Sequence, residues 1–169
     1  SDLPEGAVDI QLSDDGITVD GQSASADAED PVYTAHDIVY YEDGHDFTYG
    51  EGTEADAHST QEAEAHTVLH ITQPGTYALS GTLSAGQVAV DLGDEAEEDP
   101  DAVVTLILNG VDITCTVAPA VIFYNVYECG SKDQETADVD TSAAGANVVI
   151  ADGTVNNISG SYVARIYKE

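Results

Sequence analysis

From Thr67 onward one plan recurs along the chain, and a recurring plan limits the available folds more than any single motif does. The stretches "TYALSGTLSAGQVAVDL", "VTLILNGVDITCTVAPAVIFYNV" and "NVVIADGTVNNISGSYVARIYK" share the same parts. Each has an alternating apolar strand, a glycine turn (Gly81, Gly110, Gly153), a short second strand, and a further strand after a corner of small residues. The acidic connector between "VAVDL" and "VVTLIL" and the segment "CGSKDQETADVDTSAAG" read as insertions. Without them the period is roughly 20 to 25 residues, the length of one coil of a parallel β-solenoid. A single coil cannot bury its inward face; stacking on the next coil does. The expected fold is therefore all-β, a right-handed parallel β-helix with acidic loop insertions over residues 66–169. An N-terminal β segment with acidic loops is expected over residues 1–65. An antiparallel β-sandwich is the alternative, since short strands between regular turns suggest it as well. Asn109, Asn125, Asn156 and Asn157 fall at the corners, where side-chain amides can satisfy turn backbone groups.

Charge decides which partners to consider. The formal net charge is −30, and Lys132 is the first basic side chain other than histidine, followed only by Arg165 and Lys168. A surface like this repels phosphate, so nucleic acid and anionic membranes are excluded as partners. No apolar run is long enough for a membrane helix. What remains is cations, neutral polymers, basic proteins, and anionic polymers reached through a bridging cation. The connector concentrates the question: Asp94, Glu95, Glu97, Glu98, Asp99 and Asp101 crowd between two strands. Crowded carboxylates repel, and a divalent ion relieves that repulsion. Calcium takes six to eight oxygens, and Asp91, Asp94, Asp99, Asp101 and Asp112 are the candidate ligands. The segments "KDQETADVDTS", with Asp138 and Asp140, and "EDGHD", with Asp43 and Asp46, are second choices.

The other reactive side chains carry weaker patterns. His36, His45, His58, His66 and His70 lie within residues 36–70, with no metal-binding motif around them. His66 and His70 would share a strand face with Glu62 or Glu64 nearby, but scattered surface or half-buried histidines are the plainer reading. Cys115 and Cys129 lack CxxC spacing; a disulfide between them is expected, closing a loop of roughly 15 residues worth about 3 kcal/mol. Flat rings cover the apolar face of a pyranose, which makes Tyr124, Tyr127 and Tyr162 the candidate sugar contacts. No nucleophile elbow, phosphate loop or persuasive Ser/His/Asp order is present.

"HITQPGTYALSGTLSAGQVAVDL" followed by "VTLILNGVDIT" resembles the opening of a family of secreted bacterial carbohydrate-binding proteins. The resemblance covers residues 66–114 and extends to 146–168. It implies a right-handed parallel β-helix akin to pectate lyases, calcium held by the helix, and binding of cellulose or of acidic sugars such as polygalacturonate. A lyase would also need a basic residue to take the proton, and only Arg165 sits in a solenoid-like strand. The expected function is accordingly non-catalytic, calcium-dependent binding of acidic or plant-type polysaccharide by a secreted or cell-surface protein. The alternative is a self-assembling extracellular subunit, a homo-oligomer or filament stabilised by calcium and β-pairing.

Overall fold

The computed structural model describes residues 3–39, 58–129 and 141–161. Among these residues the structure is nearly all β, in two mixed sheets. The strands are β1 (Val8–Leu12), β2 (Thr18–Val19), β3 (Gln22–Ser23), β4 (Val32–Ala35), β5 (Thr67–Ile71), β6 (Gly75–Leu83), β7 (Gly86–Asp91), β8 (Val104–Thr114), β9 (Val121–Tyr124), β10 (Ala146–Ile150) and β11 (Asn157–Ser159). Sheet A runs in the order β10-β8-β6-β1-β2-β3, with β11 also paired to β8; sheet B runs β4-β5-β7-β9. One short helix, α1 (Thr60–Glu64), starts at Ser59, whose hydroxyl caps the Glu62 amide at 3.0 Å.

From β5 to β10 the chain alternates between the sheets, and strands two apart in sequence pair in parallel: β5 with β7, β7 with β9, β6 with β8, and β8 with β10; β11 stays in sheet A and also pairs with β8. The N-terminal strands extend both sheets, β1 parallel to β6 and β4 antiparallel to β5. Two layers facing one core are what a sandwich has; parallel recurrence between alternate passes is what stacked coils have.

The alternation read from the sequence is what fills the core. Ile10, Leu12, Leu69, Ile71, Leu79, Leu83, Val88, Val90, Val104, Leu106, Val111 and Ile113 form one buried cluster between the sheets. Each fully buried aliphatic side chain contributes roughly 1.5–3 kcal/mol. A second, small cluster lies on the other face of sheet B, where Val68, Ala89 and Ile122 pack against Ile38, Val39 and Tyr124. Sheet B is thus covered on both faces, which is how parallel strands are usually found.

Corners are held by side chains from neighbouring passes. The Asn156 Oδ1 accepts from the amides of Gly110 and Val111, both at 2.8 Å, so one pass caps the turn of the pass before it. Asn125, with φ +45°, donates through Nδ2 to Asp91 at 2.9 Å. Beside α1, the Thr116 amide donates to His66 Nε2 at 3.1 Å while the His66 Nδ1 bonds the Glu62 carbonyl at 2.8 Å. The Thr116 hydroxyl donates to the Glu62 carboxylate at 2.8 Å, and His58 meets its other oxygen at 2.9 Å. Burial opposes ionisation of Glu62, but the Thr116 and His58 contacts outweigh it and hold its pKa below the ordinary value.

The turn after β1 is tied to the β6–β7 corner by Ser84, whose amide and hydroxyl both donate to Asp14, at 2.8 and 2.6 Å. These bonds favour the carboxylate, so the Asp14 pKa is lowered from 3.8. The stability they contribute is therefore present above 3.8 and is lost as pH falls through the lower, folded-state value. Asp14→Asn is expected to lower Tm at neutral pH, with the gap to the parent closing in melts taken progressively below pH 3.8; a gap that persists in strong acid would assign the effect to something other than this carboxylate.

The expected disulfide does not form: Cys115 and Cys129 are both free thiols. Cys115 directly follows β8, whereas the segment leading to Cys129 lies at the opposite end of that strand, where the Tyr127 amide bonds the Ala102 carbonyl. Eleven strand residues lie between those ends, about 30 Å at a rise near 3.3 Å per residue, against a Cα separation below about 7 Å for a disulfide. The Cys115 thiol is buried, which pushes its pKa up.

Candidate functional site

The acidic connector is an ordered turn rather than a hanging loop. It holds a 3-10 turn at Ala96–Glu98, and Ala96 and Ala102 are buried beneath it. The Glu128 amide bonds the Glu97 carbonyl at 3.0 Å, which joins the connector to the segment after β9. Its carboxylates serve local turns: Asp99 accepts from the Asp101 amide at 2.9 Å, and Asp91 from the Gly93 amide at 3.0 Å. Asp91, Asp94, Asp99 and Asp101 belong to this one end of the sheets. Asp112 does not, because it lies in the far half of β8, level with Thr82 and Asn157. Among the described residues no three His, Cys, Asp or Glu side chains are placed to hold one ion. Asp43, Asp46, Asp138, Asp140, His45 and Arg165 lie outside the described residues, as does Tyr162.

The outer face of sheet B carries a more specific arrangement. Parallel register sets His70 beside Ala89 and Ile122, and Asp91 beside Tyr124. Antiparallel pairing of β4 with β5 sets Tyr33 opposite His70. Their rings stack with centroids 4.4 Å apart and planes 7° from parallel. His70 Nε2 meets Asp37 Oδ1 at 2.7 Å, so the segment after β4 folds over the sheet edge to reach it. The result is a cleft of about 350 Å³ walled by Tyr33, His70, Asp91 and Tyr124, with Ala89 in its floor and Val39 at its rim. Burial raises the Tyr33 pKa, and the charges of Asp37 and Asp91 raise it further.

Gln87 holds in place the segment that borders that cleft at Val39. It is fully buried, and its Nε2 donates to the carbonyls of Val39 and Pro119, both at 2.8 Å. Its Oε1 accepts from the Val39 amide at 2.9 Å. The side chain treats Val39 as a strand neighbour would and holds the segment carrying Asp37 against the sheet.

Of the residues singled out in the sequence, Tyr124 and Asp91 come together in the cleft, while Tyr127 does not line it. Tyr33, Asp37 and Gln87 were missed, and His70 was read as one of a scattered set. His66 and His70 part company: His66 bonds across to Thr116, and His70 faces the cleft. The signal for Tyr33 and His70 would have been the β4–β5 pairing, which joins residues separated by the whole of 36–66.

A shallow cleft with aromatic walls and acceptor-rich edges is the kind of surface that binding modules present. A family model described as carbohydrate-binding domain-containing protein matches residues 64–164. This is more than half of the chain, and the chain belongs to that family. No curated protein and no solved structure matches the chain. The family points to carbohydrate as ligand and to a polysaccharide as partner, and it fits a non-catalytic role.

Proposed function

We propose that this is a non-catalytic extracellular protein that binds polysaccharide across the outer face of sheet B. The observation that carries the proposal is the aromatic-walled cleft on a chain of a carbohydrate-binding family. The Tyr124 and Tyr33 rings cover the apolar face of a pyranose, while Asp91, Asp37 and the tyrosine hydroxyls accept from or donate to its hydroxyls. The scaffold in this reading is a parallel β-helix, supported by the alternation of passes between two sheets with parallel pairing of every second strand. An acidic polymer and a −30 chain repel, so binding of a polyuronate is proposed to require calcium, with the polymer's own carboxylates completing a ligand set that includes Asp94, Asp99 and Asp101.

Titration calorimetry with cello-oligosaccharide and with oligogalacturonate, each in calcium and in chelator, tests the proposal. Tyr124→Ala is expected to weaken sugar binding about tenfold or more, the scale of an aromatic contact that covers a ring, with only a modest fall in Tm because this ring packs on the small Val68, Ala89 and Ile122 cluster and not in the main core. Unaltered affinity in that variant would move the sugar elsewhere on the molecule.

A second reading, self-assembly, is favoured by one observation. β10 lies at the end of sheet A, and Val148, Val149, Ile150, Val155 and Ile158 on the last described pass are exposed. An edge of this kind templates pairing with another chain. Sedimentation velocity in calcium separates the two: particles that grow with concentration and dissolve on Ile150→Lys support assembly, and a monomer throughout removes it.

A further inference from the structure

The geometry points to a protonated amino sugar, as in a glucosamine polymer, as the ligand the cleft on sheet B selects, its ammonium on Asp91, which lines the cleft with Tyr33 and with the His70 that Asp37 holds. This inference rests on the cleft being a sugar site, and names the class of sugar.

Among the described residues the cleft's lining supplies a carboxylate, Asp91, and no lysine or arginine. Residues 1–131 contain none from which one could arrive. The histidine in the cleft's lining, His70, is committed through Nε2 to Asp37. A sugar carboxylate or sulfate finds no lysine or arginine among the described residues of the cleft. A neutral sugar uses the rings and some acceptors but leaves the charge of Asp91 unanswered. Both bonds to Asp91 fall on Oδ1, from the Gly93 amide and the Asn125 amide group. Neither of these bonds uses its other oxygen. An ammonium carries three donors and no acceptor, which matches carboxylate oxygens and a phenol oxygen, and a charge-assisted bond is roughly twice as strong as a neutral one. Asp91 and Tyr124 are register partners on adjacent strands, so a pyranose lying on Tyr124 has its substituents within reach of Asp91. The apolar rings at the same place argue for a sugar carrying the ammonium rather than for a bare metal ion, which the described residues are not placed to hold.

The test compares β-1,4-linked hexamers of glucosamine and of glucose at about 150 mM salt, where the Debye length is about 8 Å and long-range attraction to the acidic surface is largely screened. The glucosamine hexamer is expected to bind at least tenfold more tightly. Asp91→Asn keeps the Oδ1 acceptor and removes the charge; it is expected to weaken the glucosamine hexamer far more than the glucose hexamer and so close most of that gap. Asp37→Asn is expected to act in the same direction, and Asp112→Asn, in the far half of β8, to leave the gap intact. A gap that is the same in all three variants shows that the amine reads overall charge and overturns the inference. Equal affinity for the two hexamers in the parent protein also overturns it, while the sugar-binding reading stands. If neither hexamer binds, the reading of the cleft as a sugar site has itself failed.

Discussion

Gly81→Ala is expected to destabilise the protein by about 4 kcal/mol, whereas Gly110→Ala, at the equivalent position of the next pass, costs about 1–2 kcal/mol. Both glycines have positive φ, +94° and +85°, a region that costs an L-residue roughly 1–2 kcal/mol. They differ in what surrounds them. A Cβ on Gly81 would lie 2.1 Å from the Leu12 carbonyl oxygen, since β1 runs alongside β6 with Leu12 level with Gly81. A Cβ on Gly110 meets nothing within 4 Å. The clash is with backbone and cannot be relieved by a rotamer change, so β1 must move off sheet A and expose Ile10 and Leu12, both now buried. For a chain of this size about 2–4 °C of Tm accompanies each kcal/mol, so Gly81→Ala should melt roughly 10 °C below the parent and well below Gly110→Ala. Equal losses in the two variants would show that only the backbone conformation matters and that β1 does not press on Gly81.

The second large effect is expected at Gln87. Gln87→Leu keeps the approximate volume but strands the Val39 amide and the Val39 and Pro119 carbonyls, the three groups that the side-chain amide now satisfies. Each buried group left unpaired costs roughly 1–3 kcal/mol; with part of the loss recovered by water at the rim, about 3 kcal/mol is expected. Binding should fall with it. Val39 rims the cleft and Asp37 lies two residues before it, so freeing this segment removes the partner of His70 as well as one wall. Chemical denaturation gives the stability term, and calorimetry well below Tm gives the binding term. Gln87→Leu with lowered stability but unchanged sugar affinity would separate the wall from the ligand.

The acidic connector shows what counting charge alone leaves out. Counting carboxylates draws attention to Asp94, Asp99 and Asp101, yet Asp99 caps the Asp101 amide, and the alanines between the acids are buried. The charge there is the solvated side of a packed turn. The polar residue with the tightest set of contacts on the sheet face, Gln87, has no distinguishing mark in "GQVAVDL", because a glutamine in a strand reads as a solvent-facing position until the segment that covers it is known.

What the sequence determined by itself was local and periodic. The β character and the positive-φ demand at Gly81 and Gly110 follow from alternation and local backbone chemistry, although these glycines prove to sit at a register shift inside β6 and β8 and not at turns between separate strands. The polar role of Asn156 was also legible; its partners 45–46 residues away were not. The recurrence also announced that successive passes would pair with one another. Only the tertiary structure decided which faces meet. Tyr33 reaches His70, Asp37 reaches the same ring, and Gln87 reaches Val39 through pairings between residues tens of positions apart. The separation of Cys115 from Cys129 was likewise invisible, because a sequence interval measures contour length, and the chain between them crosses from one end of β8 to the other as it returns along β9. Periodicity specifies a strand's two faces; contacts across the molecule decide what each face is for.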